Sequence, residues 1–286
     1  QGSLILDGAR YGISRQRLAK GTTIWSGNRS LPFDVLIPAG AELVVEAGSQ
    51  IRFNREDLAF SGVSPRATEL TVDGLLKIAG TGASPVLLTI DSESLDDLWF
   101  GLHLSSGGSI DADFMRLSQA GVAVFGEVSQ GGRFRIADSQ MHRLSSGLRL
   151  NLFGSATVDR SEFNAVATQA VEVSGTGTLL MRETVISSNG REGVLINNAQ
   201  LQAVEVEIID NGILDPEDPR SGLVALGGRG QQIEIRDSEI SDNRAGGLDL
   251  SAWEGRLALS QSRLTGNRGD GIKVAAAERV VFEDLE

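Results

Sequence analysis

Gly147-Leu-Arg-Leu150 is one copy of a four-residue motif that decides the fold, because its pattern of small, apolar, variable and apolar residues recurs along the chain. Eight copies occur between residues 101 and 274, at steps of 20 to 29 residues. A repeat of this length, made of short alternating apolar runs, is typical of a solenoid in which each repeat is one coil stacked on the next. The first residues of the copies are Gly101, Gly121, Gly147, Ala170, Gly193, Gly222, Gly247 and Gly271.

Two further short apolar runs follow the motif within each repeat. Ile233-Glu-Ile235 is an example of the second run and Ser238-Glu-Ile240 of the third. Three short strands in about 23 residues leave no room for a crossover helix, and the spacing of a leucine-rich repeat is not present. The sequence therefore predicts an all-β solenoid of about ten coils, about 48 Å long at the usual spacing between strands.

An asparagine closes many of the coils, shortly before the next copy of the motif. Asparagine accepts a left-handed backbone, and its side chain can bond the chain's own backbone. Stacked asparagine side chains can bond to one another, so a ladder along one corner of the solenoid is predicted. The residues concerned are Asn164, Asn189, Asn211, Asn243 and Asn267.

The repeat resembles the right-handed parallel β-helix, the pectate-lyase-like fold of many secreted bacterial proteins. The stretches Ile37-Pro-Ala-Gly40 and Trp99-Phe-Gly101 are similar to phrases in the first coils of such proteins. The resemblance implies a single β-helix domain over residues 34–284 in an extracellular or periplasmic setting, with any export signal outside the sequence given. These phrases mark architecture and carry no catalytic residue.

The two ends of the chain depart from the repeat. Gln1-Gly-Ser3 is typical of a tag remnant and Leu285-Glu286 of a cloning junction at residues 285–286. Residues 1–33 are predicted to hold this remnant and an N-terminal cap, since the first coil would otherwise expose an unpaired edge. Trp25 is interpreted as a core plug of the cap rather than as a platform for a ligand.

Composition limits the classes of partner. The net charge of −12 disfavours nucleic acid and anionic membrane surfaces. No apolar run reaches the ~18 residues of a membrane span. Because the chain has no cysteine, disulfides and thiolate metal sites are excluded. We expect a monomer whose partner is a polysaccharide or a surface protein.

The variable third residue of each motif points outward and forms a candidate binding column. Arg149 and Glu172 are predicted to pair across adjacent coils, as are Asp249 and Lys273, each pair contributing roughly 0.2–1 kcal/mol. Solvated surface pairs are one interpretation. The resemblance implies another, since in pectate-lyase-like enzymes this strand forms the sheet that faces the polysaccharide. The expected column is His103, Ala123, Arg149, Glu172, Leu195, Val224, Asp249 and Lys273.

Trp253 adds a candidate outside this column. It follows the seventh copy of the motif and is expected either to expose its ring for stacking on a sugar or to pack over the neighbouring turns. The candidate carbohydrate-binding residues are therefore His103, Arg149, Glu172, Asp249, Trp253 and Lys273.

One loop carries seven residues more than its counterparts, between Asn211 and Gly222. Ile213 and Leu214 are expected to fold back on the apolar part of the column. A Ca²⁺ site needs 6–8 oxygens in a fixed loop, and no EF-hand or nonapeptide spacing is present. No cofactor is therefore predicted, although Ca²⁺ at this loop is left open. The carboxylates expected to project from it are Asp215, Glu217 and Asp218.

The catalytic inventory of the sequence is thin. Lyases and epimerases with this fold need a base together with a group that neutralises a carboxylate. Hydrolases of the polygalacturonase type need three aspartates and a Gly-His-Gly loop, and neither set is found. His103 and His142 are the two histidines, interpreted as a surface residue and a corner residue. No catalytic residue is assigned.

Three functions remain open. The leading hypothesis is a non-catalytic extracellular or periplasmic domain of a larger bacterial protein that binds a glycan or a protein, or that serves as a rigid spacer. It follows from a complete repeat beside an incomplete catalytic set. The second hypothesis is a polysaccharide lyase, epimerase or glycoside hydrolase. The third is an assembly module whose last coil, at residues 279–283, pairs with another chain or continues into a further domain.

Overall fold

A computed structural model describes residues 2–6, 9–13, 15–92, 94 and 96–286. The regular secondary structure of these residues consists of strands alone. They contain no helix that is long and apolar enough to cross a membrane. The strands are β1 (Gly2–Leu6), β2 (Ala9–Ile13), β3 (Gln16–Arg17), β4 (Gly21–Trp25), β5 (Asn28–Leu31), β6 (Val35–Ile37), β7 (Ala41–Glu46), β8 (Gln50–Phe53), β9 (Glu69–Val72), β10 (Leu75–Ala79), β11 (Val86–Ile90), β12 (Trp99–Leu104), β13 (Ser109–Asp113), β14 (Met115–Ser118), β15 (Ala120–Val128), β16 (Phe134–Ala137) and β17 (Gln140–Leu144). They continue with β18 (Ser146–Leu152), β19 (Ser155–Asp159), β20 (Glu162–Val166), β21 (Val171–Gly175), β22 (Thr178–Arg182), β23 (Val185–Ser187), β24 (Val194–Asn197), β25 (Gln200–Val204), β26 (Glu207–Ile209), β27 (Leu223–Gly227), β28 (Gln232–Arg236), β29 (Glu239–Ser241), β30 (Leu248–Trp253), β31 (Arg256–Ser260), β32 (Ile272–Val274) and β33 (Arg279–Glu283).

From β3 onward each coil contributes its strands to three parallel sheets in turn. Sheet A consists of β3, β6, β9, β12, β15, β18, β21, β24, β27, β30 and β32. Sheet B consists of β4, β7, β10, β13, β16, β19, β22, β25, β28, β31 and β33, and sheet C of β5, β8, β11, β14, β17, β20, β23, β26 and β29. Eleven strands at about 4.8 Å per step span about 48 Å. The predicted all-β parallel β-helix is confirmed, and the eight motif copies fall on or at the start of the sheet A strands β12 to β32.

Alternation within each strand builds the core. In β31, Leu257 and Leu259 are each 1% exposed, while Ala258 between them faces outward. The same alternation in successive coils stacks apolar side chains along the axis, and each fully buried aliphatic side chain contributes roughly 1.5–3 kcal/mol. Aromatic rings stack in the same way, since Trp99 lies over Phe53 with ring centroids 3.9 Å apart.

The predicted asparagine ladder runs along the corner between sheets C and A. Asn189 Nδ2 donates to Asn211 Oδ1 at 2.8 Å, and Asn211 Nδ2 donates to Asn243 Oδ1 at 3.1 Å. Asn243 Nδ2 donates in turn to Asn267 Oδ1 at 2.9 Å. The left-handed residue is the one before each asparagine, for example Asp242 with φ of 56°. The side chains, rather than the backbone angles of the asparagines, therefore explain their presence.

Asn164 does not join this ladder, contrary to the prediction. Val166 occupies the equivalent position, and its backbone N–H donates to Asn189 Oδ1 at 3.0 Å. Asn164 lies two residues earlier and donates to Glu162 at 3.3 Å instead. The ladder position of this coil therefore lies two residues after Asn164, at Val166.

A serine ladder, which the sequence analysis missed, lines the corner between sheets B and C. Ser238 Oγ accepts the backbone N–H of Val206 at 3.1 Å and donates to the carbonyl of Arg236 at 2.8 Å. The residue before it, Asp237, has a φ of 54°. Related contacts recur at Ser139, Ser161 and Ser262.

The first coil begins earlier than predicted. Strands β3, β4 and β5 pair in parallel with β6, β7 and β8, so the solenoid starts at Gln16 rather than at residue 34. Trp25 is 3% exposed and plugs the core as expected, but as part of this first coil. Strands β1 and β2 form an antiparallel hairpin. Gln1, where the expected tag remnant begins, lies outside the described residues.

Candidate functional site

The outward column of sheet A departs from the predicted one at the second motif. A bulge shifts the register between β12 and β15, so His103 faces Phe125 rather than Ala123. Ala123 is 0% exposed, because the extra residue of the bulge turns it inward. The observed column is His103, Phe125, Arg149, Glu172, Leu195, Val224, Asp249 and Lys273.

Two glycines allow a close approach of β12 and β15 at and beyond the bulge. Gly101, where the register shifts, has a φ of 130°, and a Cβ atom there would lie 1.7 Å from the carbonyl oxygen of Val122. Gly126 has a φ of 147°, and a Cβ atom there would lie 1.8 Å from the carbonyl oxygen of Leu104. Only glycine therefore permits this close approach of the two backbones. The register of the two strands pairs His103 with Phe125, and their ring centroids lie 5.8 Å apart with 26° between the ring planes.

Phe100 extends the group of rings. Its centroid lies 6.5 Å from that of Phe125, and the two rings are nearly perpendicular. All three side chains are partly exposed on sheet A. We call Phe100, His103 and Phe125 the aromatic patch. The sequence did not predict either phenylalanine as a site residue, and the position of Phe125 depends on the bulge, which the alternation of the motif does not reveal.

A shallow groove of about 560 Å³ lies beside the aromatic patch. Arg149 Nε is 3.2 Å from Glu172 Oε2, so the predicted ion pair forms, and it lines this groove. The pair is partly exposed and contributes little to stability. An aromatic surface with a few polar groups at fixed positions is typical of a small-molecule or sugar subsite. The other polar side chains along the groove are Ser105, Ser106, Glu127, Asn151 and Ser174.

A buried carboxylate lies behind the histidine of the patch. Glu69 is 0% exposed, and its Oε1 is 3.8 Å from His103 Nδ1. This distance is too long for a hydrogen bond, and within the described residues His103 Nδ1 has no other partner. Glu69 accepts the hydroxyl of Thr71 at 2.7 Å and the backbone N–H of Val63 at 2.9 Å. The wall of the groove therefore contains a histidine facing a fixed carboxylate.

Glu69 is the first residue of β9 and directly follows a long loop, residues 54–68, that was not predicted from the sequence. Two further buried carboxylates organise it. Asp57 accepts the backbone N–H of Ala59 at 2.9 Å, and Asp34 accepts the backbone N–H of Glu69 at 2.8 Å. Burial raises the pKa of Asp34 to about 6, despite its hydrogen bond from Ser61. The loop is thus held by hydrogen bonds to buried carboxylates, together with one ion pair at its start, in which Arg55 lies 3.0 Å from Asp97.

The extended loop of residues 213–220 does not fold as predicted. Ile213 and Leu214 are 42% and 61% exposed, so they do not cover the apolar part of the column. The start of the loop is instead bonded to the backbone of the preceding coil, where the Leu214 N–H donates to Gly190 O at 2.8 Å. Arg220 lies 3.5 Å from the buried carboxylate of Glu192. The loop carboxylates Asp215, Glu217 and Asp218 are exposed.

No group of three or more acidic or histidine side chains is arranged to hold a metal ion in the part of the chain that the structure describes. The two histidines lie on different sheets. His142 is in β17 of sheet C, away from the groove, and burial together with Arg143 lowers its pKa.

Trp253 is not available to a ligand. It is 0% exposed, and a Cβ atom at Gly228 would lie 1.9 Å from its ring. Of the two interpretations offered by the sequence, packing over the neighbouring turns is the one that the structure supports. The indole fits because glycine occupies both position 228 and position 255.

Asp249 and Lys273 form the second predicted ion pair, with Nζ 3.9 Å from Oδ2. Burial raises the pKa of Asp249, but hydrogen bonds from Ser251 and the charge of Lys273 outweigh it and hold the pKa below its usual range. The pair lies four coils from Arg149, about 19 Å along the axis. Leu195 and Val224 separate it from the groove. The structure therefore does not bring all the candidate residues into one site.

Comparisons with known proteins concern the fold. Residues 146–284 match the family model described as "Right handed beta helix region". No curated protein matches the chain. Similar solved structures include the periplasmic alginate epimerase AlgG, with 9% identity over 91% of this chain and 78% of that chain and a TM-score of 0.41.

Two other solved structures come from Azotobacter vinelandii. The A-module of the mannuronan C-5 epimerase AlgE4 has 12% identity over 92% of this chain and 91% of that chain, with a TM-score of 0.38. The A-module of AlgE6 has 11% identity over 93% and 90%, with a TM-score of 0.43. From its repeat, its three parallel sheets and the family model that matches its C-terminal half, the chain has the fold of a right-handed parallel β-helix.

Proposed function

We propose that the outward face of sheet A binds a polysaccharide in the groove beside the aromatic patch. The observation that carries this proposal is the placement of Phe125 and His103 next to Arg149 and Glu172. Aromatic rings offer a flat apolar surface to the C–H face of a sugar. The guanidinium and carboxylate groups can bond its hydroxyl or carboxylate groups.

The positions of the longer loops support sheet A as the binding face. Residues 54–68 and 210–222 both connect sheet C to sheet A, whereas residues 167–170 make the same connection in four residues. Loops that depart from a rigid scaffold often carry function. A regular face about 48 Å long also suits an extended polymer better than a small ligand.

Affinity electrophoresis tests this proposal directly. The chain is run in gels that contain acidic or neutral polysaccharides, with and without Ca²⁺, and retardation by at least one polymer is expected. Phe125→Ala and Arg149→Ala should each reduce that retardation. Phe153→Ala and Arg160→Ala are matched controls, because Phe153 is an exposed aromatic at another corner and Arg160 pairs with Asp138 off the groove. Equal retardation of all four variants would refute the groove as the site.

A second function, chemical modification of the bound polysaccharide, is favoured by one contact. A histidine next to a carboxylate on the wall of a groove is an arrangement that general acids and bases use. His103 and Glu69 have this relationship at 3.8 Å, and Arg149 lies on the same groove. Absorbance of unsaturated uronate products tests lyase activity, and proton exchange at C5 tests epimerase activity. Activity that His103→Gln abolishes without loss of retardation would support this function over binding alone.

Both functions place the chain where polysaccharides occur, so we retain the hypothesis of an extracellular or periplasmic domain. The non-catalytic interpretation is retained for the case in which retardation is found and no product forms. A polymer that is bound but unchanged would identify a binding domain, whereas absence of retardation by every polymer would leave the spacer and assembly hypotheses.

A further inference from the structure

The outward face of sheet A is covered in the coil before His103. Strand β9 of that coil pairs with β12, and its outward residue Thr71 lies beside His103. Thr71 is 4% exposed, and Glu69, the other outward residue of β9, is 0% exposed. In the coils that follow, Phe125 and Glu172 are partly exposed on the same column. Because alternation places Thr71 and Glu69 on the outer face of the sheet, another part of the chain must lie over them.

The cover is the loop of residues 54–68, which we call the end wall. The Val63 N–H donates to Glu69 Oε2 at 2.9 Å. Gly62 lies so close to the sheet that a Cβ atom there would be 2.5 Å from Glu69 Oε1 and 2.6 Å from Asp34 Oδ2. Glu69 begins β9 and Asp34 directly precedes β6. The end wall therefore lies across the outer face of these two neighbouring strands.

Buried groups hold the end wall in this position. Ala59 is 0% exposed, and its N–H donates to Asp57 Oδ1 at 2.9 Å. The hydroxyl of Ser61 donates to Asp34 Oδ2 at 2.7 Å. Asp34 and Asp57 are 0% and 1% exposed, so lifting the wall would leave buried acceptors without their donors. A ligand that lies along sheet A therefore meets the wall in place.

The groove is thus closed at one end and open at the other. Its lining begins at His103, directly beside the covered Thr71. In the opposite direction the column continues through Leu195 and Val224 to Asp249, and all three are partly exposed. From β12 to β30 this uncovered face spans about 29 Å at about 4.8 Å per strand. A polymer that lies along the column can leave the groove only at the open end.

We propose that the groove receives the end of a polysaccharide chain, with the terminal sugar on the aromatic patch and against the end wall. This inference deepens the polysaccharide-binding proposal and rests on it. A polymer bound through its middle continues past the site in both directions, and along this column it would overlap the end wall beyond His103. A terminal sugar stops where the wall begins, and its ring can lie on Phe125. The wall would thus set specificity by excluding the continuing chain.

The number of protein molecules bound per polymer chain tests this inference. Titration calorimetry measures that number for alginate, pectate and dextran, each fractionated into short and long chains. Recognition of one chain end predicts one protein molecule per chain at both lengths, so binding per gram of polymer falls as the chains become longer. Binding along the chain predicts a number of protein molecules that rises in proportion to chain length.

Shortening the end wall should convert end binding into binding along the chain. In the wall variant, two glycines replace residues 58–66. The Asp57 N–H donates to Arg66 O at 3.4 Å, so the ends of the shortened loop already lie close together. In the control variant, two glycines replace residues 213–219, an exposed loop that also leads to sheet A and does not cover the column. The wall variant should place several molecules on each long chain, and the control variant one.

The outcomes separate this inference from the proposed function. Several unmodified molecules on each long chain would overturn end recognition and leave polysaccharide binding intact. One molecule per long chain for a wall variant that circular dichroism shows to be folded would also overturn it. If the wall variant does not fold, the two chain lengths measured with the unmodified protein decide the question. Absence of binding to every polymer would refute the proposed function, and end recognition would fall with it.

Discussion

Replacement of Asp34 by asparagine should stabilise the protein at neutral pH, and the gain should shrink as pH falls. Asp34 is 0% exposed, and its carboxylate lies near those of Asp57 and Glu69. Burial raises its pKa from 3.8 to about 6. Because the pKa of Asp34 is higher in the folded than in the unfolded chain, the protonated carboxyl favours the folded state. This contribution to stability is complete when the pH is below the pKa of the unfolded chain, and it is lost as the pH rises through the pKa of the folded chain.

The size of the effect follows from these two pKa values. Ionisation of Asp34 should cost the folded state about 3 kcal/mol when the pH is well above 6. Near pH 5 the cost should be roughly half as large, because most of the folded molecules then carry the proton. Asp34→Asn removes this ionisation, and its amide oxygen can still accept the Glu69 N–H. Its free energy of unfolding should therefore exceed that of the unmodified chain by about 1 kcal/mol more at about pH 7.5 than at about pH 5.

Urea denaturation at these two pH values measures the difference. Asp138→Asn is the control, because the hydrogen bond from Arg160 lowers the pKa of Asp138 and leaves it ionised in folded and unfolded chains throughout this window. Its effect on stability should not change between the two pH values. If the difference between the Asp34→Asn variant and the unmodified chain were the same at both, the burial of an ionisable Asp34 would be refuted.

Two further predictions concern the ladder and the buried indole. Asn211→Ala should cost on the order of 2–4 kcal/mol, because buried Asn189 Nδ2 on the preceding coil loses its acceptor and Asn243 Oδ1 on the following coil loses a donor; Asn164→Ala, off the ladder, should change the urea midpoint very little. Gly228→Ala should lower the melting temperature much more than Gly230→Ala. Both glycines have positive φ, 83° and 74°, but only at the first would the new Cβ atom meet the Trp253 ring, 1.9 Å away, whereas nothing lies within 4 Å at the second.

The repeat was predictable because burial fixes it in every coil. Each motif places two inward apolar residues on sheet A. A shift of the strand register by one residue would turn both of them outward, so the alternation is kept in every coil and is visible in the sequence. The asparagine corner was predictable for a similar reason. Asn189, Asn211, Asn243 and Asn267 bond to one another, so the same residue type is needed at this position in successive coils.

The details of the candidate site were hidden by local departures from the repeat. Gly121-Val-Ala-Val124 fits simple alternation as well as its neighbours do, so nothing in it indicates that Ala123 is turned inward and that Phe125 takes its place. Residues 54–68 carry no repeating pattern, and their order depends on carboxylates that are distant in sequence, such as Asp34. Trp253 follows its motif directly, and its burial depends on the small residue at position 228.

The stacking of coils also determines how the protein should unfold. Ladder bonds join residues 22 to 32 positions apart, for example Asn189 to Asn211 and Asn211 to Asn243, so each coil depends mainly on its two neighbours. Folding can then spread from coil to coil, and amide exchange should be fastest at β33 and slower toward the middle of the stack. A lesion in one coil would divide the molecule into two blocks that open separately, and a lesion near an end would release only the few coils beyond it.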